Sequence, residues 1–165
     1  MPAVVQVNEY NGAGSTKTPN VPRGDWLSAD LPGDVDRRNT NYLQKPTSGL
    51  TRSFEKWQKL ELTNLSGSVK LDLFRHYLAA PLPTGFAAYT SAVNPATSPT
   101  YAQPTASDSV VATHAMPTSD PGNAQISGTL LAPGETGFVV TQLDVDTTAA
   151  AGFSTTINFK YAEIS

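Results

Sequence analysis

The chain contains no cysteine. That excludes a disulfide framework, a thiolate metal site and a thiol nucleophile, so stability has to come from packing or from association. Charge is also scarce: Asp, Glu, Lys and Arg make up 15% of the 165 residues, and the net charge is −3. The 11 Lys and Arg are scattered along the chain, which leaves no basic field for a nucleic-acid backbone. No apolar run approaches the roughly 20 residues of a membrane-spanning helix, so neither nucleic acid nor membrane is an expected partner. The opening MPAVVQVNEY lacks the basic-then-apolar order of a secretory signal, and synthesis in a cytoplasm as a soluble product is expected. Outside a secretory route, the sequon Asn64-Leu65-Ser66 reads as an ordinary turn.

Catalytic motifs are missing as well. There is no Gly-x-Ser-x-Gly elbow, no phosphate-binding P-loop and no His-Glu-x-x-His. A carboxylate pair of the glycosidase kind stays open, because such residues need only be close in space, but the sparse charge offers no compelling pair. His76 and His114 fall on candidate strands without ligand spacing and read as half-exposed strand residues. Asp144 and Asp146 flank Val145 and could offer oxygens to a hard cation, yet Asp-x-Asp on a strand is usually a solvated edge. The expectation is a protein that is not an enzyme, with no catalytic residues, no metal and no cofactor.

What is present is β patterning. In SVKLDLFRHYL, Val69, Leu71, Leu73 and Tyr77 alternate with Lys70, Asp72 and His76, and Leu60 and Leu62 alternate with Lys59, Glu61 and Thr63. Asn64-Leu65-Ser66-Gly67 between these runs suggests an antiparallel hairpin. Toward the C-terminus Val139, Thr141, Leu143 and Val145 share one face, as do Phe153, Thr155, Ile157, Phe159 and Tyr161. Weaker strands are read at 4–7, 85–90, 109–114 and 125–131. The 13 Pro and 12 Gly concentrate in the segments between them, where Pro removes a ladder donor and ends a strand. The pattern predicts an all-β protein: an antiparallel β-sandwich or jelly roll of about seven or eight strands, with an extended, irregular N-terminal arm.

That arm spans most of the first of two regions, 1–49 with an N-terminal strand and 50–165 with the sandwich. Residues 9–49 show no sustained period yet carry Trp26, Leu27, Leu31, Val35, Tyr42 and Leu43, too apolar for a plain linker. Ordering such a segment costs about 1–2 kcal/mol per residue, and a few buried aromatics return roughly 1.5–3 kcal/mol each. The remainder has to come from backbone pairing or a partner surface, either the chain's own sandwich or a neighbouring subunit. Removing residues 9–49 is expected to leave a folded sandwich. Phe54, Trp57, Tyr89 and Tyr101 invite sugar stacking, although aromatics preceding a strand more often plug a core or anchor an interface. Trp26, Tyr42, Phe54 and Trp57 are the candidate interface anchors.

The stretches VVQVNEYNGAG, SFEKWQKLELTNLSGSVKLDLFRHY, THAMPTSDPGNAQISGTLLAPGETGFVVTQLDV and TINFKYAEI together resemble small β-rich virion proteins of tailed bacteriophages. The resemblance implies a capsid decoration, or cement, protein: a sandwich that forms homo-oligomers, commonly trimers, on the outer capsid surface where subunits of the major capsid protein meet. It carries no catalytic residues. Localisation would be the virion, after synthesis in the host cytoplasm. A tail, neck or baseplate component is the nearest alternative, and a carbohydrate-binding attachment module is the alternative from another class.

Overall fold

The computed structural model describes residues 2–21, 24–33, 41–120 and 122–165, and among them there is no helix. The strands are β1 (Val4–Asn11), β2 (Thr16–Thr18), β3 (Leu50–Arg52), β4 (Lys56–Asn64), β5 (Lys70–Leu78), β6 (Phe86–Thr90), β7 (His114–Ala115), β8 (Gly134–Glu135), β9 (Val139–Asp146) and β10 (Ile157–Ile164). Eight of them form one antiparallel sheet in the order β2-β1-β4-β9-β6-β7, with β3 paired to β9 and β8 to β4. The second sheet is β10-β5, flanked on the other side of β5 by isolated bridges Leu71–Leu130 and Arg75–Gln125. The protein is therefore all-β, with the two layers of a β-sandwich. β2, β3, β7 and β8 are two or three residues long, too short for any period to announce them.

Alternation builds the core between the layers. Leu60 and Leu62 of β4 and Val139 of β9 meet Leu71 and Phe74 of β5, with Ala124, Ile126 and Leu130 from the flanking segment. A second cluster joins Leu78, Ala88, Met116, Leu143 and Val145. The opposite face of the large sheet is covered too: Tyr10, Trp57, Ala112 and Val140 pack there under Tyr101 and Phe138. Because β9 is central, it is buried on both faces from Val139 through Val145, not on the single face its alternation suggested.

Three expectations need correction. β4 and β5 do not form a hairpin; β4 pairs with β1, β8 and β9, and β5 with β10. The turn between them carries the chain from one sheet to the other. It is closed by Ser68 N donating to Leu65 O at 3.0 Å and by Ser66 N donating to Asn64 Oδ1 at 2.7 Å. Ser66, not Gly67, takes the positive φ of 55°. The second correction lies within β5. Leu73 adopts φ 53°, and the register against β10 shifts between Lys160 and Ala162, so one extra residue is inserted as a β-bulge. Past it the buried set becomes Phe74, His76 and Leu78, while Leu73 is 50% exposed. His76 is consequently fully buried, the third correction. The segment 109–114 is a strand only at its end, and 125–131 contributes bridges instead of a ladder.

The described part of the N-terminal segment packs on its own subunit. Glu9 to Asn11 complete β1, β2 pairs back onto it, and Val21 N donates to Val7 O at 2.8 Å. Leu27 is fully buried, bridges to Tyr42 and accepts a hydrogen bond from Phe54 N. Backbone pairing thus supplies part of the ordering free energy that side-chain burial alone would not cover. Val35 lies outside the described residues.

Candidate functional site

Of the four candidate anchors, Trp57 and Trp26 serve their own subunit. Trp57 is fully buried, meets Tyr101 and Phe138 edge-on at 5.2 and 5.6 Å, and donates from Nε1 to Glu55 Oε2 at 3.1 Å. It has no surface to offer a neighbour or a sugar. Trp26 is half-buried against the Leu78–Leu143 cluster and donates from Nε1 to Thr141 Oγ1 at 3.1 Å. Phe54 is half-buried, and Tyr42 is 44% exposed beside Leu27. Tyr101 is tied down as well: its hydroxyl donates to Gly12 O at 2.7 Å, and burial, then Asp30, pushes its pKa up to about 12.

Two acidic side chains far apart in sequence do come together, on the outer face of the large sheet. Glu61 of β4 and Glu135 of β8 both accept from Asn8 Nδ2, at 2.7 and 2.9 Å. Both also pair with Lys17 of β2, at 3.1 and 2.8 Å. Gln6 Nε2 adds a bond to Glu61, Tyr10 OH one of 2.6 Å to Glu135, and Lys59 lies 3.4 Å from Glu135 and over the Phe138 ring. The proton affinities follow from these partners. Asn8 and then Lys17 lower the Glu61 pKa. Burial opposes ionisation of Glu135, but the bonds from Lys17, Tyr10 and Asn8 outweigh it and take its pKa down to about 2. Burial and then Glu135 raise the Tyr10 pKa well above its ordinary range. A glycosidase pair needs one carboxyl that keeps its proton near neutrality, whereas here both are held ionised. The cluster is a cross-brace that ties β1, β2, β4 and β8 together. Sequence reasoning missed it because Glu135 sits in a turn-rich segment with no period.

A second buried network pins the segment 101–112 over that face. Glu55 accepts from Trp57 Nε1, from Ser109 Oγ at 2.5 Å and from Thr105 N at 3.4 Å. Gln142 donates to Ser53 O and Ser107 O and accepts from Ser109 N. These groups are partnered inside the subunit, as buried polar groups must be.

The titratable candidates singled out from the sequence are separated. His114 is exposed on β7, and His76 is buried between the layers. Asp144 lies 3.3 Å from Arg52 in an ion pair, with its carboxyl pKa raised by burial, while Asp146 is capped by Thr148 N and Oγ1 at 2.7 and 2.6 Å. Among the described residues no three His, Asp or Glu gather as a cation site. Concavities are shallow. One open groove of about 560 Å³ is bordered by Ala92, Asn94, Thr113, His114, Pro117 and Asn123.

The most distinctive surface is apolar. Of the nine exposed large hydrophobic side chains among the described residues, Val4, Val69, Leu131 and Ile164 lie on segments whose backbones adjoin near the β4–β5 turn, with Leu73 at the bulge of β5. Val69 N donates to Ile164 O, and Leu131 follows the Leu130 that bridges to Leu71. Val4 follows Ala3, whose N–H donates to Glu163 Oε1. Among the charges in their midst, Lys70 pairs with Asp72 at 3.0 Å, and Glu163 accepts from Ser68 and Ala3, bonds that hold its carboxylate ionised. Val69 is 62% exposed and Leu131 67%.

No family model, no curated protein and no solved structure matches the chain.

Proposed function

We propose that the protein is a structural component of a virion, a capsid decoration or cement protein that binds the outer capsid surface and bridges neighbouring copies of the major capsid protein. The observation that carries this reading is the set of aliphatic side chains Val4, Val69, Leu73, Leu131 and Ile164, exposed in the single subunit on segments that adjoin at one end of the sandwich. Exposed apolar clusters of this kind mark surfaces that another protein covers. The polar clusters, by contrast, brace the subunit internally, which supports a role in contact. Cementing is then mechanical. Each copy adds buried area between neighbours, and the many copies on a shell make weak contacts count through effective concentration. Self-association, with a trimer favoured, belongs to the same reading.

The test is to add the purified protein to tailed-phage heads stripped of their accessory proteins and to count bound copies by gold labelling. The reading expects label over the whole head. It also expects a loss of at least tenfold in affinity for the double variant Val69→Asp/Leu131→Asp, whose exposed sites leave folding intact. Label confined to one vertex or to the tail would assign the protein to the neck, tail or baseplate. Undiminished binding by the double variant would remove the aliphatic end from the contact.

A further inference from the structure

The bulge at Leu73 has a consequence for His76. It turns the imidazole into the interior, where it is fully buried on β5 with Nε2 2.9 Å from Thr90 Oγ1 of β6. Its ring stacks on Phe159 of β10, with centroids 5.8 Å apart. One side chain therefore touches both strands of the small sheet and the large sheet across the gap. Nδ1 is buried with no hydrogen-bond partner among the described residues, and Thr90 Oγ1 is shared with Ala92 N at 3.1 Å.

Charged and titratable groups around it point elsewhere. Arg75 of β5 and Lys160 of β10 are register partners on the outer face of the small sheet, where Asp120 binds Lys160. Asp72 is taken up by Lys70 and Thr129, Glu163 by Ser68 and Ala3, and Tyr161 packs on Phe74. From the large sheet, Tyr89 lies with the outer-face cluster, Asp144 pairs with Arg52, and His114 is exposed. Among the described residues no carboxylate faces the ring. An imidazolium carries two N–H donors, and this site presents one acceptor.

We propose that His76 is an acid-sensitive pin between the layers: neutral, it holds β5 and β10 against β6, and protonated on both ring nitrogens it releases that layer while the eight-stranded sheet stays formed. Separate release is possible because β5 and β10 share no ladder with the large sheet. Their contact with the large sheet is side-chain packing, which a buried unpaired charge disrupts, together with backbone bonds that run through intervening segments, such as Leu78 N to Pro117 O beside Met116 N to Ala88 O. Burial lowers the His76 pKa from 6.5 to about 4. The released state, with an ordinary histidine, binds a proton that the closed state refuses. Closure is therefore at full strength above pH 6.5 and weakens as pH falls toward 4.

The experiment follows the full chain from neutral pH to about pH 3.5 by NMR, a window set by the ordinary histidine pKa and the shifts burial produces. Histidine ring signals report charge, and amide exchange, corrected for its intrinsic pH dependence, reports protection. The proposal expects His76 to take up its proton in the same interval in which β5 and β10 lose protection, with β1, β4 and β9 still protected. His76→Phe, which keeps the stacking on Phe159 and cannot be charged, should move that loss down by about one pH unit or more. Simultaneous loss of protection in all strands would overturn it. So would loss in β5 and β10 while His76 stays neutral, or full protection with His76 charged. The wild-type correlation decides even if the variant fails to fold.

Discussion

Replacing Glu9 by Ala would strand the Lys56 ammonium in the interior. The two groups are 2.8 Å apart with side chains 0% and 1% exposed, and the N-terminal segment closes over them. Gly33 N donates to Glu9 Oε2 at 3.1 Å, and Lys56 Nζ also donates to Leu31 O. At an effective dielectric of about 20 the Coulomb attraction of such a pair is roughly 6 kcal/mol, much of it offset by desolvation. Removing one partner leaves the desolvation cost uncompensated, for which about 3–5 kcal/mol is typical. That is a large share of the about 5–15 kcal/mol that holds a domain together. Urea unfolding followed by tryptophan fluorescence should show Glu9→Ala less stable by that amount. The double variant Glu9→Leu/Lys56→Met, which replaces the pair with apolar volume, should recover most of the loss. A cost below about 1 kcal/mol for the single variant, or a double variant no better than the single, would refute the assignment of the pair as a buried clasp. The same geometry reverses one expectation: excising residues 9–49 removes Glu9, β2 and Leu27, and the truncated chain should show no cooperative unfolding transition.

Leu71→Ala should cost about 2–5 kcal/mol and Leu73→Ala about 0.5 kcal/mol or less, because the first is fully buried and the second half-exposed at the bulge; equal costs in urea unfolding would mean that the bulge is misplaced. Gly85→Ala should destabilise strongly, since at φ 92° the added Cβ would lie 2.3 Å from Ala149 N; an unchanged melting temperature would exclude that close approach. Glu135, with its folded pKa near 2 against 4.5, contributes stability that is complete above pH 4.5 and lost as pH falls toward 2. Glu135→Gln should flatten the stability–pH curve in that window, and a slope matching wild type would show that the Lys17 brace does not hold in solution.

The strands with a clean period are legible in the sequence: Leu60 and Leu62 point inward as their alternation requires, β9 falls where its β-branched residues put it, and β10 begins at Ile157, so that Phe153 and Thr155 of the same run precede the strand. What periodicity does not encode is which strand pairs with which. Asn64-Leu65-Ser66-Gly67 has the composition of a hairpin turn, yet the same four residues serve equally to pass a chain between sheets, and packing of Leu71 and Phe74 on Leu60 and Leu62 decides the matter. The bulge was invisible for a related reason. Leu is an improbable residue for a positive φ, so nothing at Leu73 warns that the inward set will shift by one. His76 inherited the error and was assigned to the solvent side. The N-terminal segment hid its anchoring because hydrogen bonds such as Gly33 N to Glu9 Oε2 and Gly12 N to Asp30 Oδ2 leave no pattern in sequence.

The location of the aliphatic end bears on the resemblance to virion proteins. Much of what the resembling stretches contain is interior: Glu55, Lys56, Trp57, Gln58 and Leu60 of SFEKWQKLEL are buried, as is all of VVTQLDV. Such residues would be shared by any chain built on this sandwich, whatever it does, because fold alone does not specify function. Yet Val4, Val69, Leu73, Leu131 and Ile164 also lie within those stretches, whereas the other exposed large hydrophobics, Leu31, Tyr42, Leu50 and Val110, lie outside them. Folding gives no reason to keep five aliphatic side chains in water at one end, and solubility argues against it. The proposed contact would supply that reason, and it makes the two groups of exposed hydrophobics separable by experiment. Charge introduced at Val110, 91% exposed on its loop, should leave binding to phage heads unchanged, while charge at Val69 and Leu131 abolishes it. Equal loss at both places would mean that general surface hydrophobicity, and not the aliphatic end, drives the association.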